Sequence, residues 1–228
     1  MKQKILAIFL SLLSTQVVGC AGNILARYST QKNMQEQAEY DMQNGDYTAA
    51  QTKLLTIIAS DPTNYTAVSL LAACYAAIGG VKLLDILINA AVQSTANNNT
   101  NSNAINLASA VLPTPTATVF SQMNLAINTM ASIPQASLTS DMSFQQQMFL
   151  DLYLLLQILD LLITLRAGGT LTNAQLTLLF NTIASINGVS GSNTNQVTQA
   201  VSNITNGINS SPGGNQAQQV GNYLTPFI

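Results

Sequence analysis

Few side chains in this 228-residue chain have the chemistry of a catalytic group. The chain contains no histidine and two cysteines, Cys20 and Cys74, and its nine carboxylates are scattered along the sequence. General-base catalysis usually needs a histidine, or a lysine or carboxylate in a shaped site, so we expect no enzymatic activity. Zinc sites are built mainly from cysteine and histidine; we therefore expect no metal and no other cofactor.

Cys20 differs from every other candidate because of the segment that precedes it. Lys2 and Lys4 are followed by an almost continuous apolar run over residues 5–13, and then by Val-Val-Gly at 17–19. A basic start, an apolar core and a small residue before the cleavage point are typical of a secretory signal. A membrane-spanning helix is disfavoured, since it needs about 20 apolar residues. An ordinary signal peptide, with Cys20 incidental, is the other alternative.

The segment ending at Cys20 resembles the lipobox of bacterial lipoproteins. The resemblance implies cleavage after residue 19, acyl chains on the sulfur and new amino group of Cys20, and anchoring of the exported chain. By the sorting rule of this family, Ala21 in place of aspartate implies the outer membrane, with the protein facing the periplasm. Each buried CH₂ of an acyl chain contributes about 0.8 kcal/mol, so several chains anchor firmly. Cys74 then has no disulfide partner in the chain, and we expect it to be a small buried residue.

Charged residues make up only 7% of the chain, with none between Asp85 and Asp141 and none after Arg166. Removal of residues 1–19 leaves five basic and nine acidic side chains, a net charge of −4. Such a chain has no basic face for nucleic acid and no polybasic patch for anionic lipid. Because low charge favours association, the expected partner besides the membrane is another envelope protein or a second copy of the chain.

Residues 31–64 resemble one tetratricopeptide repeat of 34 residues, and Tyr65 begins a second repeat. The resemblance extends over residues 31–92 and rests on small and turn residues that recur after 34 positions, namely Ala38 with Ala72 and Gly45 with Gly79. It implies two helical hairpins, with Ala50, Leu54 and Ile57 as the packing stripe of the second helix. Stability normally needs about three repeats, so we expect the C-terminal part to pack against these two.

The repeat resemblance also implies a protein-binding groove. In such repeats, first-helix residues at fixed offsets line the concave surface. The corresponding candidates here are Lys32, Gln35, Glu39, Met42, Thr66, Ser69, Ala73 and Ala76. The first four side chains are long and the last four are small, which leaves space for a partner. The alternative is that the C-terminal helices cover much of this face.

The remaining chain is predicted to be helical between two breaks. An Asn-rich loop at 94–104 and the Pro113–Pro115 break form a linker. Ser143 with Gln146, and Thr172 with Gln175, have the spacing of a capping box. A Gly-Gly pair at 168–169 predicts a left-handed helix stop. The helices are expected at 119–131, 143–166, about 172–186, around 197–208 and 216–224.

The helix predicted over 143–166 is apolar on nearly every face, which is typical of a central core helix or a membrane span. Asp151, Gln157 and Asp160 favour the core, since an acid in hydrocarbon costs several kcal/mol. Asp151 and Asp160 are nine residues apart. They should therefore point to opposite sides of the helix and not form a carboxylate pair.

These patterns together predict an all-α protein with helical-hairpin repeats packed against a C-terminal helical bundle. The predicted organisation is a signal peptide (1–19), a lipidated tether (20–30), tetratricopeptide-like repeats (31–92), a linker (93–118) and a C-terminal helical region (119–228). The function expected by analogy is that of a lipid-anchored scaffold for protein interactions in an assembly or transport complex of the envelope. The alternative is that the apolar C-terminal helices enclose a lipid or another small hydrophobic ligand.

Overall fold

The computed structural model describes residues 32–83, 85–86, 105, 108–188 and 196–228, with Gln196 described by its backbone alone. In these ranges the chain is all-α and contains no strand, which confirms the predicted fold class. The longer helices are α1 (32–43), α2 (Tyr47–Ser60), α3 (Tyr65–Ile78), α4 (Ala117–Ala131), α5 (Ser140–Arg166), α6 (Asn173–Gly188), α7 (Gln196–Ser210) and α8 (Gln216–Leu224).

Several predicted features lie outside the described residues. These are the signal segment, Cys20, the tether and the Asn-rich loop at 94–104. The described chain divides within α3 into two units. Unit 1 ends at Ala67, and unit 2 extends from Val68 to Ile228.

The first helical hairpin of unit 1 is formed by a glycine turn between α1 and α2. Gly45 has φ of +80°, and the N–H groups of Gly45 and Asp46 donate to the carbonyls of Met42 and Asp41 at 3.1 and 2.8 Å. This is the Schellman arrangement that ends many helices. Asp46 then caps α2, because its carboxylate accepts from the Ala49 N–H at 3.1 Å.

An ion pair and an apolar stripe hold this hairpin together. The Lys53 ammonium of α2 contacts the Asp41 carboxylate of α1. The predicted packing stripe is buried as expected, with exposed fractions of 1% or less at Ala50, Leu54 and Ile57. Ala38 of α1 is also fully buried, which allows close approach of neighbouring helices.

In unit 2, α4, α6 and α7 pack against α5. Every side chain from Gln147 to Leu159 is buried. By length and composition α5 could cross a membrane, but 78% of its most apolar window is buried inside the protein. α5 is therefore packed as the core helix that the sequence predicted. Asp151 and Asp160 lie on different sides of α5, as predicted: Asp151 faces α7, and Asp160 accepts from Gln175 of α6 at 3.2 Å.

The two predicted capping boxes have different outcomes. Thr172 and Gln175 form theirs: the Thr172 hydroxyl accepts from the Gln175 N–H at 3.2 Å, and the Gln175 side chain accepts from the Thr172 N–H at 3.0 Å. The box at Ser143 was wrong, because α5 begins three residues earlier. Thr139 is its N-cap and accepts from the Met142 N–H at 3.2 Å.

The helix stops also refine the predicted turns. Gly168 ends α5 with φ of +74°, as predicted for the Gly-Gly pair. After α3 the left-handed residue is Gly80, with φ of +83°, rather than Gly79. The two left-handed turns are therefore 35 residues apart. Gly79 instead lies against α4, where an added Cβ would be 3.0 Å from the Cβ of Gln122.

The C-terminal segment is attached to α5 and α7 by two specific contacts. The guanidinium of Arg166 donates to the Phe227 carbonyl at 2.7 Å. The ring of Tyr223 in α8 packs directly on Gly207 in α7, where no Cβ is present. The first contact depends on a residue at a helix end and the second on a glycine, so the hydrophobic pattern alone does not predict them.

Candidate functional site

The groove candidates of α1 form one accessible side of that helix. Lys32, Gln35, Glu39 and Met42 are separated by three, four and three residues, which places them on one face. Gln35 donates to Glu39 at 3.1 Å. Lys32 is exposed, and its ammonium lies 4.0 Å from the carboxylate of Glu36. Gln35, Glu39 and Met42 are half-buried, so each keeps part of its side chain accessible.

The groove candidates of α3 have different surroundings. Thr66 lies in unit 1 and is exposed, whereas Ser69, Ala73 and Ala76 lie in unit 2. Ser69 makes a two-way contact with Gln145 of α5: its hydroxyl donates to the Gln145 side chain, and the Gln145 amide donates to the Ser69 carbonyl at 3.1 Å. Ala76 is only 1% exposed. At Ser69, helix α5 therefore occupies a position that the resemblance assigns to a partner, and Ala76 is buried within the protein.

A buried polar cluster connects α5 to α7. Asp151 is 0% exposed, and its two carboxylate oxygens accept from the Gln147 amide and the Thr198 hydroxyl, each at 2.8 Å. Burial away from water raises the pKa of Asp151 to about 6, and the two hydrogen bonds oppose that rise. The predictions from sequence included Asp151 but not Gln147 or Thr198. The spacing of four between Gln147 and Asp151 on an apolar helix was the available signal.

A second buried polar contact joins α5 to α6. The Gln157 amide donates to the Thr182 hydroxyl at 2.9 Å, and that hydroxyl donates to the Leu178 carbonyl at 2.9 Å. Both side chains are at least 94% buried. The carbonyl oxygen of Gln157 has no hydrogen-bond partner among the described residues. This pair links α5 to α6, but it contains no titratable group.

The remaining reactive side chain, Cys74, is enclosed within α3. Its thiol is fully buried and unpaired, and burial raises its pKa to about 11. A thiol in such a setting is a weak nucleophile because the thiolate is disfavoured. This burial confirms the prediction of a small core residue. Among the residues that the structure describes, no group of three or more acidic or thiol side chains could hold a metal ion.

Comparison with known protein families, with curated proteins and with solved structures gives no significant match for this chain. The assignment of function therefore depends on the sequence signals and on the geometry described above.

Proposed function

We propose that this protein is a lipoprotein of the bacterial outer membrane, anchored through Cys20 and facing the periplasm, where it acts as a scaffold for another envelope protein. The accessible side of α1, formed by Lys32, Gln35, Glu39 and Met42, is the binding surface. The observation that carries the scaffold proposal is the contrast between the two halves of the candidate groove. The α1 half is accessible, whereas Ser69 and Ala76 of α3 are used in internal packing.

Charge at this surface favours a partner segment with hydrogen-bond donors or a positive side chain. Lys32 is already close to Glu36, and Lys53 pairs with Asp41. Glu39 contacts only a neutral amide, that of Gln35, among the groups described around it. A carboxylate with accessible oxygens can accept charge-assisted hydrogen bonds from a bound peptide.

Lipid attachment is tested by labelling cells with a palmitate analogue. We expect label on the wild type and none on the Cys20→Ala variant. Cys74→Ala is the matched control, since it removes the other cysteine, which is buried, and should keep the label. Equal labelling of wild type and Cys20→Ala would contradict attachment at Cys20.

The binding surface is tested by crosslinking in the native envelope, followed by purification of the full-length protein. We expect a specific crosslinked partner that is reduced in Gln35→Ala and in Glu39→Ala. Gln37→Ala is the matched control, because Gln37 is exposed on the opposite side of α1 and should leave the crosslink unchanged. A partner retained equally by all three variants would place the interface elsewhere and refute the proposed surface.

The alternative of a bound lipid within the C-terminal helices remains a prediction that packing does not favour. Met148, Leu152, Leu154 and Leu156 of α5 are 0% exposed because protein side chains cover them. Native mass spectrometry of the purified protein tests it. A ligand that co-purifies in fixed stoichiometry would support this alternative.

A further inference from the structure

Asp151 is an acid enclosed in the middle of a helical bundle. It lies eleven residues after the start of α5, is 0% exposed, and its described hydrogen bonds come from two neutral donors, Gln147 and Thr198. Thr198 belongs to α7, so one of these bonds crosses between helices. The carboxyl group therefore forms part of the attachment of α7 to the core.

The helices that pack against α5 bring no charge to this carboxyl group. The sequences of α4, α6 and α7 contain no charged and no titratable side chain. On α5 itself, Arg166 is fifteen residues away, which is about 22 Å along the axis. The other titratable groups on α5, on α3 and on α8 are Asp141, Tyr153, Asp160, Tyr65, Cys74, Tyr75 and Tyr223. None of these supplies a positive charge.

An ionised carboxylate in this place is costly. Taking a charge out of water without an opposite charge nearby disfavours the charged form. The two hydrogen bonds to Asp151 reduce this cost but do not remove it, which is why its pKa lies at about 6. The carboxyl group thus changes its charge in the mildly acidic range.

We propose that the packing of α7 on α5 around Asp151 is sensitive to pH: it is firm when the buried carboxyl group is protonated and weaker when the group is ionised, because an ionised carboxylate is costly to keep away from water even while the Thr198 hydroxyl donates to it. This inference does not depend on lipid attachment or on the α1 surface.

The physical consequence concerns the apolar face of α7. Val197, Val201, Ile204 and Ile208 are all at most 1% exposed and form one stripe along that helix. When Asp151 releases its proton to water, states in which α7 has separated from α5 become more favourable, because they hydrate the carboxylate. Opening exposes the apolar stripe, which is then available for other contacts.

Hydrogen exchange measured by mass spectrometry on the full-length protein in detergent tests this mechanism. Protection of the α7 amides is compared at pH 5.0 and pH 7.5, after correction for the intrinsic pH dependence of exchange. With a pKa of about 6 in the closed state and 3.8 in the open state, the opening equilibrium should increase about tenfold between these two values. Unchanged protection of α7 would overturn the proposal.

Three variants separate this mechanism from general effects of pH. Asp151→Asn keeps the shape but cannot ionise, so α7 protection should not change with pH. Asp141→Asn removes an exposed acid from the same helix and should behave as the wild type. Thr198→Val removes a donor to the carboxylate, so opening of α7 at pH 7.5 should exceed that of the wild type.

Asp151→Asn with the same tenfold change as the wild type would refute the role of this carboxyl group. If Asp151→Asn does not fold, comparison of the wild type with Thr198→Val still tests the proposal. Equal opening of these two proteins at pH 7.5 would exclude a contribution of Thr198 to the packing of α7 on α5.

Discussion

Burial of Asp151 predicts that the folded protein loses stability as the pH rises. The pKa is about 6 in the folded state and 3.8 when the side chain is unperturbed. Between these values the folded state binds more protons than the unfolded state, so the free energy of unfolding decreases with increasing pH. The limiting loss is about 3 kcal/mol, from about two pKa units at 1.36 kcal/mol each. About 2 kcal/mol of this loss should occur between pH 4 and pH 7.5.

The assay is urea unfolding of wild type and Asp151→Asn, followed by circular dichroism over this pH range. The other carboxyl groups contribute to both proteins, so the quantity of interest is the difference between the two curves. We expect that difference to move by about 2 kcal/mol in favour of Asp151→Asn between pH 4 and pH 7.5, and to level off above pH 7. Parallel curves would show that Asp151 ionises in the folded protein as it does in water, and would refute the reasoning.

Three further substitutions test the packing of unit 2 by the same unfolding measurement. Gly207→Ala places a Cβ 2.9 Å from Cδ2 of Tyr223 and closer still to Cε2, so we expect a loss of about 1–3 kcal/mol; a neutral result would contradict the close packing of α7 and α8. Gly168→Ala should cost about 1–2 kcal/mol, because its φ is +74° with open space around it, whereas the control Gly188→Ala, at the end of α6, should be neutral or stabilising. Gln157→Leu should stabilise by about 1 kcal/mol, since it removes a buried carbonyl that has no described partner; a large loss would show that the contact with α6 is essential.

Most of the helices could be predicted because their signals are local. The Thr172–Gln175 box, the stop at Gly168 and the bounds of α8 depend on residues within one turn of each other, and the structure contains all three. The predicted start of α5 was three residues too late, because the N-cap signal is also local and two hydroxyl residues fit it. Thr139 and Ser143 are both plausible caps, and a sequence alone does not show which hydroxyl meets the first free N–H groups.

The buried polar cluster could be predicted only in part. A spacing of four shows that Gln147 and Asp151 are neighbours on one helix. Their contact with Thr198 joins residues 47 positions apart, and no local pattern identifies such a pair. The hydrophobic stripe of α7 predicted a buried face but gave no information on which side of α5 it would cover.

The packing of α3 limits the surface that the predicted repeats could offer to a partner. Small residues in a repeat helix can either leave space for a partner or allow another helix to approach. At Gly79 the second explanation holds, since an added Cβ would meet Gln122 and the backbone of Val119 at 3.0 and 3.6 Å. Ser69 and Ala76 also take part in internal packing: Ser69 is hydrogen-bonded to Gln145, and Ala76 is buried. These contacts are internal to unit 2, so the accessible side of α1 is the surface that the proposed scaffold function assigns to recognition.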